Sequence, residues 1–131
     1  MSRQLVAAVE DLLFKSKILE TAKELNVEVK FPRSPRKLIA TIEESPPDLL
    51  ILDLNSDHFE PLELVKTMKL DEALREVPTV GFLSHVQKDL AVAAREAGCD
   101  RIMARSAFTT DLPKIVAGEK PREPLDEAGV G

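Results

Sequence analysis

The chain has no tryptophan, no tyrosine and a single cysteine, Cys99. One thiol cannot close a disulfide within the chain, so the fold must rest on its own core, and a reducing compartment is expected. Glycine is scarce, at five residues, and none of them falls in a Gly-x-Gly-x-x-Gly, Walker or Gly-x-Ser-x-Gly pattern. That removes the dinucleotide, P-loop and nucleophile-elbow readings. No apolar run approaches the roughly 20 residues of a membrane helix, and the amino terminus lacks the basic-then-apolar order of a signal peptide. Basic excess is lacking too: a formal net charge of -5 offers little to neutralise phosphates, which argues against direct nucleic-acid binding. A cytoplasmic protein with no membrane partner is expected.

What remains is ordinary globular material. With 131 residues, 44% of them apolar and 31% charged, the chain is long enough for one domain with a filled core. Residues 1–117 read as that domain. Residues 118–131, rich in Pro, Glu and Gly, read as a disordered tail.

Apolar runs and helical periods alternate along the domain. Gln4 to Val9 is a first strand, followed by the acids Glu10 and Asp11. Phe14, Ile18, Ala22 and Leu25 share one face of a helix over Leu12 to Leu25. Val27 to Phe31 alternates like an edge strand. Ser34-Pro35 opens a helix as N-cap and first helical residue, with Leu38, Ile39 and Ile42 facing inward. Leu49-Leu50-Ile51-Leu52 is a buried central strand delivering Asp53 at its end. Asp57 and Glu60 have the spacing of a capping box, opening a helix to about Leu74 with Leu62, Val65 and Met68 inside.

Val77 to Leu83 is the next strand. It is followed by a helix over Val86 to Ala97 with Val86, Leu90, Ala93, Ala94 and Ala97 facing in, stopped at Gly98. Ile102 to Ala104 is a brief last strand, and Thr110 to Ala117 a final helix with Leu112, Ile115 and Val116 as its apolar side. The pattern is (βα)5, an α/β doubly wound parallel sheet of five strands. An edge-like second strand and a buried third strand select the flavodoxin-like order 2-1-3-4-5.

In that order the carboxyl ends of the central strands share one face, where open sheets gather their ligands. They bring together Glu10 and Asp11, Asp53, Ser84 and Arg105. Crowded carboxylates repel, and a hard divalent cation relieves them. A carboxylate so placed can accept a phosphoryl group, with Arg105 supplying fixed positive charge and Ser84 a hydroxyl. His58 and His85 lack cysteine companions and make no zinc pattern; both are expected at the surface. Cys99 is expected to pack at a helix end.

Over about Gln4 to Ala117 the chain resembles the receiver domain of two-component response regulators (CheY-like). The resemblance is carried by Glu10-Asp11, by Asp48-Leu49-Leu50-Ile51-Leu52-Asp53, by Ser84 and by Glu96-Ala97-Gly98-Cys99-Asp100. It implies that Asp53 is phosphorylated by a histidine kinase or phosphotransfer protein, with Ser84 contacting the phosphoryl group. It also implies that Glu10, Asp11, Asp53 and the Asn55 carbonyl hold Mg²⁺, Asp11 being the better ligand of the acidic pair. No catalysis beyond self-phosphorylation and dephosphorylation is expected.

Departures accompany the resemblance. Arg105-Ser106 stands where the family has Lys-Pro, Ile102 where it has an aromatic switch, and Ser56 to Pro61 replaces the usual loop after the phosphoacceptor. Two functions therefore stay open: a stand-alone phosphoaccepting receiver that docks onto a protein effector, and a phosphorylation-independent pseudo-receiver that binds protein constitutively. A homodimer through helices four and five, near Arg95, Glu96, Arg101 and Asp111, is left open as well.

Overall fold

A computed structural model describes residues 3–84 and 87–119. Five parallel strands form one sheet in the order β2-β1-β3-β4-β5, as expected: β1 (Gln4–Ala8), β2 (Glu28–Lys30), β3 (Leu49–Asp53), β4 (Thr79–Leu83) and β5 (Arg101–Ala104). Side chains alternate across each strand, and the two faces build two cores. Leu50, Leu52, Leu54, Leu83 and Ile102 pack under α2 (Pro35–Glu44), α3 (Pro61–Lys69) and α4 (Lys88–Ala97). Leu5, Ala7, Ile51, Phe82 and Met103 pack under α1 (Leu12–Glu24), α5 (Arg105–Thr110) and α6 (Leu112–Ala117). A strand with both faces covered needs a continuous apolar run, which is why Leu49 to Leu52 is unbroken.

Helix starts follow local chemistry. Asp11 caps α1, its side chain accepting from the Leu13 and Phe14 amides, and Ser34 caps α2 by accepting from the Lys37 amide. The capping box at Asp57 and Glu60 does not form. Glu60 itself precedes α3 in the left-handed region, φ 48° and ψ 58°, and makes no side-chain cap. The helix also stops at Lys69 rather than near Leu74, which is buried in the turns that follow. Its inner side is Pro61, Leu64, Val65 and Met68, with Leu62 only partly covered.

Helix α4 begins at Lys88, and its buried face is Ala91, Ala94 and Ala97, with Leu90 and Ala93 half-buried. Val86 and His85 lie outside the described residues, as does the expected tail from residue 120 onward. Leu25 is the exposed C-cap of α1 rather than part of its inner face. The last helix begins earlier than Thr110 and is two helices, α5 and α6, meeting at Asp111. Pro113 is the cause: it has no N–H to give to the Thr109 carbonyl, and its ring would collide there. Asp111 is thereby buried, which removes it from the surface proposed for a dimer.

The two ends of the described chain meet at the amino edge of the sheet. Arg3 Nε donates to the Val116 carbonyl at 3.0 Å, and a Cβ on Gly118, at φ 88°, would come within 2.9 Å of the Arg3 guanidinium carbon. Among the described residues no helix is long and apolar enough to cross a membrane.

Candidate functional site

At the opposite, carboxyl edge the sheet register sets Asp53 beside Phe82 and one step beyond the Leu52–Gly81 pair. Asp53 is half-buried, and its Oδ1 accepts the Asn55 amide at 3.0 Å. Its other oxygen, Oδ2, has no hydrogen-bond partner among the described residues. Burial raises the Asp53 pKa above the ordinary carboxylate value, and the negative charges of Glu10 and Asp11 add to the rise; the Asn55 amide and the Arg105 charge oppose it.

Asn55 ties two loops together. Its side-chain Oδ1 accepts the Ser84 amide at 2.8 Å and its Nδ2 donates to Gln87 Oε1 at 2.8 Å. Ser84 is exposed at the end of β4. Ser56, the next residue after Asn55, is buried; its amide donates to the Asp53 carbonyl at 3.1 Å and its Oγ accepts the Phe59 amide at 3.2 Å. The same hydroxyl donates to Glu10 Oε2. Glu10 is therefore held by the loop after β3.

Asp11 is engaged at both oxygens. Oδ1 accepts the Leu13 and Phe14 amides at 2.8 and 3.1 Å, and Oδ2 lies 3.1 Å from Arg105 Nη2. The Phe14 amide is the main reason that its pKa falls below the ordinary value, with the Leu13 amide and Arg105 adding to it. Arg105 is the first residue of α5 rather than the end of β5. Its guanidinium carbon sits 4.5 Å from the centre of the Phe14 ring and 5.9 Å from that of Phe82. Beneath it Phe14, Phe82 and Phe108 form a trio, with ring centres 4.7 Å apart for Phe14–Phe82 and 4.8 Å for Phe82–Phe108.

Glu10, Asp11, Asp53, Asn55, Ser84 and Arg105 all come to one edge of the sheet. Ser56, Phe14 and Gln87 belong with them and were not anticipated there. Ser56 carried one signal, its place directly after Asn55. His58 stands apart on the surface, its Nε2 donating to the Arg33 carbonyl at 2.8 Å. Cys99 is buried, as expected, with Sγ 3.3 Å from the Arg101 carbonyl.

This topology, with an acid at the end of its central strand, is the receiver fold of response regulators. The phosphorylated cyanobacterial phytochrome response regulator RcpA superposes with a TM-score of 0.76 at 21% identity, over 90% of this chain and 91% of RcpA. The Mn²⁺-bound form of response regulator Rcp1 gives 0.69 at 23% identity, over 88% of this chain and 90% of its own. Among curated sequences, the polar-differentiation response regulator DivK of Brucella ovis is 27% identical over 73 residues, 56% of this chain. The match spans only 59% of DivK's length. No protein-family model matches the chain.

The oxygen donors at this edge have the chemistry a hard divalent cation prefers. Their placement does not fit Mg²⁺. Among the described residues no three His, Cys, Asp or Glu side chains gather as a metal would need. Asp11 Oδ1 receives two amides and its Oδ2 the Arg105 guanidinium, while Glu10 Oε2 receives the Ser56 hydroxyl.

Proposed function

We propose that this chain is a phosphoaccepting receiver domain with Asp53 as its nucleophile. The observation that carries the reading is the setting of that one side chain. Asp53 lies at the carboxyl end of the central strand, half-buried, with Oδ1 held by the Asn55 amide and Oδ2 without a hydrogen-bond donor among the described residues. Oδ2 attacks the phosphorus of a phosphohistidine on a kinase or phosphotransfer protein; the N–P bond breaks, the imidazole keeps the electron pair, and an acyl phosphate forms. Ser84, at the end of β4, and the Arg105 charge supply a hydroxyl and a cation for the new phosphoryl oxygens. The Asn55 side chain, bonded to the Ser84 amide and to Gln87, links that event to the loop leading into α4, where a protein effector would read it.

The test is intact mass after incubation with acetyl phosphate, with and without added Mg²⁺, beside Asp53→Asn. A phosphate-sized gain present in the wild type and absent in the variant is expected; no gain in either refutes the reading.

A second reading, the phosphorylation-independent interaction module, is favoured by one observation. Arg105 is already committed to Asp11 and to the Phe14 ring, so the cation that would answer a phosphoryl group has a partner without it. If this reading holds, the Asp53→Asn chain binds its protein partner as the wild type does.

A further inference from the structure

We propose that Arg105 is a resident counter-cation of the acid cluster and keeps divalent cations away from Asp11. Asp11 has two oxygens to offer. Oδ1 receives the Leu13 and Phe14 amides, so taking it for a metal uncaps α1. Oδ2 is the remaining oxygen, and Arg105 Nη2 already lies 3.1 Å from it.

Arg105 is seated rather than loose. Its guanidinium rests over the Phe14 ring at 4.5 Å and is only about a third exposed, 34% against 43% for Asp11. Its backbone opens α5, and the Thr109 hydroxyl donates to its carbonyl at 2.9 Å. A planar guanidinium lies flat on an aromatic face while one edge reaches a carboxylate; a lysine ammonium on the same spot has no such plane. The seat holds the group in pairing geometry before any ligand arrives, which lowers the entropy lost in pairing.

A guanidinium carries a fixed positive charge in proteins. A divalent ion arriving at Asp11 must either displace a fixed positive charge from the carboxylate and the ring or share Oδ2 with it at close range, and both cost free energy. The poor fit of these acids to Mg²⁺ thus has a cause within the chain. The inference is independent of Asp53 phosphorylation, since in a chain that never accepts phosphate Arg105 would still weaken the cation's hold on Asp11.

The experiment is a Mg²⁺ titration of the ¹⁵N-labelled full chain, following amides of residues 10–14 and 53–55, with Mn²⁺ broadening as a second probe. Arg105→Gln keeps a polar side chain and removes the charge. Phe14→Leu keeps every charge and removes the ring. Arg105→Gln is expected to bind Mg²⁺ about tenfold more tightly than wild type, from the loss of an ion pair and a cation–ring contact together. Phe14→Leu is expected to shift in the same direction by less. The same spectra report whether each variant is folded. Equal midpoints for wild type and Arg105→Gln, or no localised response from either, overturn the proposal. A Phe14→Leu chain that matches wild type while Arg105→Gln binds tightly overturns the seat.

Discussion

Gly81 is the position where the packing behind Asp53 can be tested most sharply. A Cβ added there would stand 2.7 Å from Leu54 Cγ and Cδ1 and 2.9 Å from Cδ2, against 3.4–4 Å for ordinary contact. Leu54 must therefore yield by at least about 0.7 Å, and it is 4% exposed inside the core beneath α2 to α4. Overpacking of this kind costs about 1–3 kcal/mol, offset by about 0.5–1 kcal/mol from the lower backbone freedom of alanine. Gly81→Ala is expected to lose about 0–2.5 kcal/mol net. Leu54→Ala alone empties the same space and is expected to lose about 2–5 kcal/mol. In the double variant the new methyl enters the space the leucine left, so the two changes should couple favourably by about 1–2 kcal/mol.

Urea unfolding followed by far-ultraviolet circular dichroism measures all four chains, since without Trp or Tyr there is little intrinsic fluorescence to follow. The effect should also reach the site. Leu54 lies between Asp53 and Asn55, and its amide donates to the Phe82 carbonyl at 3.0 Å, so amide resonances of Asn55 and Ser84 should move in Gly81→Ala. Additivity within about 0.5 kcal/mol, or a Gly81→Ala chain more stable than wild type, would refute the reasoning.

Further outcomes follow from single contacts. Because burial raises Asp53 above 3.8, the folded chain holds that proton more tightly than the unfolded chain, and this contribution to stability is lost as pH rises through the raised value. Asp53→Asn should therefore be more stable than wild type at pH 7, with the gap narrowing as pH falls toward 3.8 in urea titrations across pH. Burial also raises the Cys99 thiol above 9.0, so iodoacetamide at mildly alkaline pH should alkylate the native chain about a hundredfold or more slowly than the urea-unfolded one, read by mass. Ser34→Ala removes the cap of α2 and should cost about 1 kcal/mol in thermal unfolding. Glu60→Gly relieves a left-handed residue at φ 48° and should raise stability by up to about 1 kcal/mol.

The sheet was readable because burial leaves a one-dimensional trace. A strand covered on both faces must be apolar throughout, as at Leu49 to Leu52, and one at an edge alternates, as at Val27 to Phe31; those two patterns were enough to choose the strand order. Asp53, Glu10 and Asp11 were readable because acids directly after apolar runs fall at strand ends. The pairing among them was not. Arg105 and Asp11 are 94 residues apart in the chain, and whether a guanidinium leans toward Asp53 or toward Asp11 depends on which ring lies beneath it. No period in the sequence records that. Ser56 looked like loop, because a buried hydroxyl and an exposed one have the same letter. Pro113 was different: its missing N–H announced a helix break at Asp111, and the apolar period of Leu112, Ile115 and Val116 concealed it. At Asp57 and Glu60 a capping pattern was present, but the chain turns left-handed at Glu60 and the helix begins after it.

The contact between Arg3 and Val116 has a practical consequence for anyone handling this chain. Entry and exit of the described fold lie together at the amino edge of the sheet, and a five-residue strand puts the acids about 17 Å away at the other edge. A purification tag, a fluorescent reporter or a second domain joined at either side leaves the acids open to approach. The same proximity makes the fold a candidate for circular permutation: a short linker from Glu119 back to Arg3, with new termini cut in an exposed turn such as that after Leu70, would keep every strand neighbour in place.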